Sequence, residues 1–262
     1  MKTVRSVDGT TIAFEVVGQG PSVILVGGAF CDRSARASGT PLATHLSSSF
    51  KVYSYDRRGR GDSGDTPPYA IAREVEDLAA LVAEAGGKAS VYGISSGALL
   101  ALEGAAGGLP IAKLALYEPP LLLDAGAPKP PENLAAELTE LTRTGKRSEA
   151  AELFLTQVVQ VPAPFVAHMR SAPAWRALEA LAHTLPYDVL LTARGTELVA
   201  QAPSLRTPTL AMVGGASPSW MRQGVRALAD AVPRARYSVL EGQTHDVHPE
   251  LLARSLEAFF FE

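Results

Sequence analysis

The feature that most restricts the fold of this chain is a rhythm. Short runs rich in β-branched residues alternate with segments of helical periodicity, stop midway, and then resume. Strand candidates are Thr11–Val17, Ser22–Val26, Lys51–Tyr55, Lys88–Tyr92 and Lys113–Tyr117. Between them, Ile71–Ala85 places Val75, Leu78, Leu81 and Val82 on one helical face, and Gly97–Ala106 reads as a small Ala-rich helix. From Pro119 to about Leu205 no strong strand occurs. Prolines cluster at 119, 120, 128, 130 and 131, and helices are expected over Glu132–Thr144, Ser148–Val159, Pro162–Met169 and Ala174–Leu185. The rhythm returns with a strand at Thr209–Val213, a helix at Trp220–Ala231, a strand at Tyr237–Leu240 and a helix at Pro249–Phe260. Strands and helices alternate along most of the chain, so the pattern specifies an α/β fold. It is a mostly parallel central sheet with helices on both faces and a helical insertion.

Composition supports one domain with a large core, since 47% of the 262 residues are hydrophobic and 19% charged. The net charge is −3, and the one basic cluster, Arg57, Arg58 and Arg60, is broken by Gly59 into a turn. No nucleic-acid partner is expected. No apolar segment approaches the length of a membrane span, and the N-terminal residues carry no signal-like stretch, so a cytoplasmic protein without a membrane partner is expected. The single cysteine, Cys31, allows no intrachain disulfide and no cysteine-based metal site. Cys31 itself reads as a small buried hydrophobe.

The segment Gly93-Ile94-Ser95-Ser96-Gly97 lies between a strand and a helix. A chain that reverses from strand to helix in so few residues forces the central serine into a strained conformation with its oxygen projecting. Gly93 and Gly97 let strand and helix approach closely, and the helix N-terminus offers free N–H groups to developing negative charge. Ser95 is therefore the candidate nucleophile. Ser96 is out of register for that role and is read as a backbone N–H donor.

Four segments together carry a family likeness. They are Leu25-Val26-Gly27-Gly28-Ala29-Phe30, the turn Asp56-Arg57-Arg58-Gly59-Arg60-Gly61-Asp62-Ser63-Gly64, the serine elbow, and Gly242-Gln243-Thr244-His245. On these the chain resembles the α/β-hydrolase superfamily over nearly its whole length outside the insertion. The resemblance implies a core of residues 1–119 and 206–262 and a helical cap of residues 120–205. It also implies that the backbone N–H groups of Ala29 and Ser96 hold an oxyanion and that His245 is the general base, with His248 as the fallback. Gly27 stands where relatives often carry histidine, a departure of small consequence for a loop that works through its backbone.

The third catalytic member is less direct. Ser217 occupies the position where relatives carry an aspartate after the strand at Thr209–Val213. Three readings follow. The acid has moved to Glu118, at the end of the preceding strand; or it is Asp246 or Asp124; or there is none. Glu118 is the favoured reading. Arg57, Arg58 and Asp62 are read as loop pins. Phe154, Val158, Phe165, Met169, Trp175, Leu178 and Leu185 supply apolar cap surface, mostly for packing, and Trp220 with Met221 form another candidate pocket wall. The expected function is serine hydrolysis of a small, largely apolar carboxylic ester or lactone, a small-molecule substrate, with no metal or organic cofactor. The alternative is a non-hydrolytic member with an incomplete triad: a ligand-binding protein, a lyase or a cofactor-free perhydrolase.

Overall fold

The computed structural model describes residues 1–124 and 126–262; residue 125, inside the expected insertion, lies outside them. Eight strands form one sheet: β1 (Lys2–Arg5), β2 (Thr11–Val17), β3 (Ser22–Val26), β4 (Lys51–Tyr55), β5 (Ala89–Ile94), β6 (Ile111–Tyr117), β7 (Thr209–Gly214) and β8 (Ala235–Leu240). Their spatial order is β1-β2-β4-β3-β5-β6-β7-β8. The pairs β1–β2 and β2–β4 are antiparallel and the rest are parallel.

The two faces of β3 show how the sequence builds two layers. Ile24 and Val26 point into one apolar cluster with Leu78, Leu81 and Leu99 of helices α2 (Ile71–Glu84) and α3 (Ser96–Ala106), following α1 (Thr40–Leu46). Val23 and Leu25 point the opposite way, onto Leu42 and Leu46 of α1 and Leu252, Leu256 and Phe259 of the C-terminal helix. Period-two alternation thus feeds two cores, and β5 is buried at every residue. Burying a Leu or Val fully contributes about 2 kcal/mol, so both faces matter for stability.

Between β6 and β7 run α4 (Leu134–Arg143), α5 (Arg147–Gln157), α6 (Ala163–Arg170), α7 (Trp175–Leu181), α8 (Leu185–Ala193) and α9 (Gly195–Gln201); α10 (Ser219–Ala231) and α11 (Pro249–Phe261) follow β7 and β8. The helix expected over Ala174–Leu185 is shorter, and another begins where it was expected to end. α7 stops at Leu181, and Pro186 sits in the first turn of a separate α8. Phe165 departs from expectation too. α6 turns Val166 inward and leaves Phe165 67% exposed. Elements not anticipated include β1, an edge strand with little apolar signal, α1, only seven residues long, and α8 and α9 at the end of the insertion. Among the described residues no helix is long and apolar enough to cross a membrane.

Candidate functional site

The C-terminal ends of β3, β5, β6 and β7 converge, and loops from each surround a cavity of about 450 Å³. Open parallel sheets place ligand crevices at this edge, because the chain leaves the strands there in opposite directions. Ser95 ends β5 and caps α3 with φ 57° and ψ −130°, outside the regions favoured by a residue with a side chain. Its N–H donates to Tyr117 O (3.0 Å) and its carbonyl accepts from Ala98 N (2.9 Å). The close approach explains the glycines: a Cβ on Gly97 would lie 2.4 Å from the carbonyl oxygens of Val26 and Gly27, and one on Gly93 2.5 Å from Gly97 O.

Strain is concentrated here. Among the described residues four non-glycines have positive φ, and three of them, Phe30, Ser95 and Glu118, line the cavity. Each such residue costs about 1–3 kcal/mol, so its conformation persists only when neighbours fix it, a pattern typical of functional sites.

Glu118 follows β6 and is fully buried. Its Oε1 accepts from Gly214 N–H (2.8 Å) and the Ser217 hydroxyl (2.5 Å). Its Oε2 lies 2.7 Å from His245 Nδ1. Ser217 therefore holds a carboxylate that reaches the imidazole from a neighbouring strand. Tyr117 donates its hydroxyl to Thr244 O (2.6 Å), which fixes the loop carrying His245. The His245 side chain is 49% exposed at the mouth of the cavity that Ser95 lines. Ser95 and His245 thus share one cavity, and Glu118 and His245 share one hydrogen bond. The other candidates make different contacts, although Asp246 also lines the cavity. The Asp246 carboxylate faces Arg36 (3.3 Å), Asp124 accepts from Gly126 N–H, and His248 precedes α11 outside the cavity lining.

The cavity wall is largely apolar. Phe154, Leu155 and Val158 come from α5 and its end, and Pro218, Trp220 and Met221 from the start of α10. Phe30 meets Phe154 edge-on at 5.5 Å, which joins the loop after β3 to the insertion. Trp175 and Leu185 pack inside the insertion and do not line the cavity. Cys31 does line it. Burial pushes its thiol above the ordinary value, so a thiolate is scarce at neutral pH. Among the described residues no group of three or more His, Cys, Asp or Glu could hold a metal ion.

The fold and the comparisons with known proteins agree. The alpha/beta hydrolase family model matches residues 23–255. The chain belongs to the alpha/beta hydrolase family. An alpha/beta hydrolase from Sphaerobacter thermophilus is 51% identical, with a TM-score of 0.92 over 99% of this chain and 100% of that one. An enol-lactonase from Burkholderia xenovorans is 22% identical, with a TM-score of 0.76 over the full length of both chains. An esterase from Rhodococcus is 19% identical, with a TM-score of 0.71 over 100% of this chain and 98% of that one. No curated protein matches the sequence.

Beneath the cavity of this alpha/beta hydrolase lies a buried ionic network that sequence reading missed in part. Arg57 is held bidentately by Glu74 (2.7 Å and 2.7 Å) and reaches Asp188 of α8 at 2.8 Å. Arg60 grips both oxygens of Asp188 (2.9 Å and 2.8 Å), and Arg58 pairs bidentately with Asp77 (2.8 Å and 2.8 Å). Asp62 accepts from Arg33 at the surface. The arginine-glycine turn thus pins loops, and it also ties the insertion to the core. The available signal was Asp188 itself, a lone carboxylate in the apolar run Leu185-Pro186-Tyr187-Asp188-Val189-Leu190-Leu191. A charge on such a face demands buried partners.

Burial alone would raise the Asp188 carboxyl. The Arg60 and Arg57 guanidiniums, with the Ser96 hydroxyl, outweigh it and hold the group below its ordinary value. Glu74 is held low in the same way, with burial outweighed chiefly by Arg57. A carboxyl depressed in the folded state binds protons less well there than in the unfolded chain. Its contribution is therefore complete above the ordinary carboxylate range and is lost as pH falls through the lowered folded value. Unfolding free energies from urea titrations should decline below about pH 4.5, and Asp188→Asn should flatten that decline. Burial raises Asp77 despite Arg58, in the opposite sense. An acid limb equally steep in the Asp188 variant would refute the assignment.

Proposed function

We propose that this alpha/beta hydrolase is a serine hydrolase that cleaves small, largely apolar carboxylic esters or lactones through an acyl-enzyme. The observation that carries the reading is the 2.7 Å contact between buried Glu118 and His245 at the mouth of the cavity lined by Ser95. Ser95 Oγ attacks the substrate carbonyl as His245 Nε2 takes its proton. That step needs the two side chains within hydrogen-bond reach, a contact that free enzymes commonly tighten only with substrate bound. Glu118 fixes the imidazole tautomer from Nδ1 and stabilises the imidazolium. The N–H groups of Ala29 and Ser96 receive the oxyanion, and the first residue of a helix has no carbonyl within that helix to satisfy its N–H. His245 then protonates the leaving alkoxide and activates water, which releases the acid and restores Ser95.

The apolar lining favours a neutral acyl group, and a cavity of about 450 Å³ favours a small one. The helical insertion acts as a cap that keeps water from this chamber. Ser217, the residue that motivated a non-hydrolytic reading, hydrogen-bonds Glu118 and so does not leave His245 without a carboxylate. The lone Cys31 fits work in a reducing compartment such as the cytoplasm.

The test is a panel of p-nitrophenyl esters from acetate to dodecanoate, with small lactones followed by acid release. Short and medium acyl chains should give kcat/KM of about 10⁴ M⁻¹s⁻¹ or more for a preferred member, with a fall at dodecanoate. Tight ligand retention with no acid released from any ester or lactone would contradict the reading.

A further inference from the structure

Both proposed oxyanion donors are tied to one carboxylate that takes no part in the proton transfers. Arg60 Nη1 donates to Gly28 O at 2.5 Å, while Arg60 Nη2 is held by both oxygens of Asp188. Gly28 C=O and Ala29 N–H belong to the same peptide unit. In a trans peptide these two groups point in opposite directions in one plane. A guanidinium that fixes and polarises the carbonyl therefore fixes the direction of the Ala29 N–H and strengthens it as a donor. Arg57 Nη1 reaches the preceding carbonyl, Gly27 O (3.3 Å), and also Asp188 (2.8 Å). The second donor is tied by its own side chain, since Ser96 Oγ donates to Asp188 Oδ1 at 2.7 Å and is shared with Arg57 Nη1 at 3.3 Å.

We infer that Asp188, delivered by the helical insertion, is a positioning residue for the oxyanion hole: through Arg60 it sets the Ala29 N–H, and through the Ser96 hydroxyl it sets the Ser96 N–H. This rests on the esterase reading above. The whole arrangement is buried: Arg57, Arg60, Ser96 and Asp188 are each no more than 2% exposed. Bulk water therefore cannot replace a missing link at full strength. The geometry also gives the insertion a role beyond covering the cavity, because α8 must be seated for both donors to be aligned.

The variants are Asp188→Asn and Ser96→Ala, with Tyr187→Phe as control. The Tyr187 hydroxyl joins the same helix to the core through Asp65 (2.7 Å), away from the donor loop. Each is assayed for kcat and KM on p-nitrophenyl butyrate and for inhibition by a short-chain trifluoromethyl ketone. Addition of Ser95 Oγ to that ketone, with its proton passing to His245, leaves the former carbonyl oxygen as an anion between the donors. Asp188→Asn should lower kcat by about 10- to 100-fold, weaken the ketone by a similar factor and leave KM within about threefold. Ser96→Ala should show the same pattern at about three- to tenfold, and Tyr187→Phe should match the parent. The pH profile should keep its shape, since Glu118 and His245 are untouched.

A loss carried by KM, an unchanged ketone affinity, or an equal loss in Tyr187→Phe would overturn the inference. Should Asp188→Asn fail to fold by circular dichroism, Ser96→Ala decides, and parent-like kcat there overturns it. A parent that hydrolyses no ester and no lactone overturns the hydrolase reading and this inference together. A parent that hydrolyses esters while its variants are unaffected overturns the inference alone.

Discussion

Replacing Ser95 with alanine is expected to lower kcat by about 10⁵-fold or more on the preferred ester while leaving the fold intact. The side chain loses one oxygen and keeps its Cβ. The backbone bonds to Tyr117 and Ala98 that hold the strained φ do not involve that oxygen. The melting temperature should therefore stay within a few degrees of the parent. What remains after the change is the oxyanion hole and the binding cavity, which by themselves retain about 10³- to 10⁴-fold acceleration over water in serine hydrolases. KM should move little, because the hydroxyl contributes to the transition state and not to ground-state binding. Steady-state assays with a pre-steady-state burst check will show it: the parent should give a burst of p-nitrophenol if deacylation limits, and the variant none. Cys31, whose thiol burial suppresses, supplies no substitute nucleophile.

The second large effect is at Glu118. In Glu118→Gln the amide oxygen can still accept from Gly214 N–H and Ser217, the two donors on Oε1. Its NH₂ then faces His245 Nδ1, where the carboxylate Oε2 stood at 2.7 Å. An N–H donor there forces Nδ1 to accept, so the proton moves to Nε2 and the base can no longer take the serine proton. The imidazolium also loses its anionic partner. A fall in kcat of about 10⁴-fold is expected, with circular dichroism and KM close to parent values. Glu118→Ala should be as inactive and also less stable, because it strands two buried donors at about 1–3 kcal/mol each. Asp246→Asn is the counterpart. Asp246 faces Arg36 at the surface, so its loss should change kcat by less than about twofold. Parent-like activity in Glu118→Gln together with a collapse in Asp246→Asn would transfer the acid role to Asp246.

These residues also show what a one-dimensional reading can and cannot reach. β3, β5 and β7 were legible because buried strands are rich in apolar and β-branched residues, and residues 23–26 are an unbroken apolar run. The serine elbow was legible because its backbone demands glycine at fixed offsets. Ser217 at the end of β7 looked like a missing acid, since chain order alone says nothing of distance across the sheet. β6 and β7 are neighbours, so a carboxylate after β6 is within reach of a hydroxyl after β7. Asp188 was invisible as a site residue for the same reason. Its partners Arg57, Arg60 and Ser96 lie 92 to 131 positions away in the chain and meet it only in three dimensions. β1 and α1 escaped because a short edge element needs few apolar residues, and Val4 alone marks one of them.

The most direct measurement is mass spectrometry after exposure to an alkyl fluorophosphonate. Fluoride should leave as phosphorus bonds to Ser95 Oγ, and the intact mass should rise by a single phosphonyl group. Proteolytic mapping should place that group on Ser95 in the parent, and the Ser95→Ala protein should take up none at the same reagent concentration. An unmodified parent, or a label found on any residue other than Ser95, would contradict the claim that this serine is the activated nucleophile of the chain.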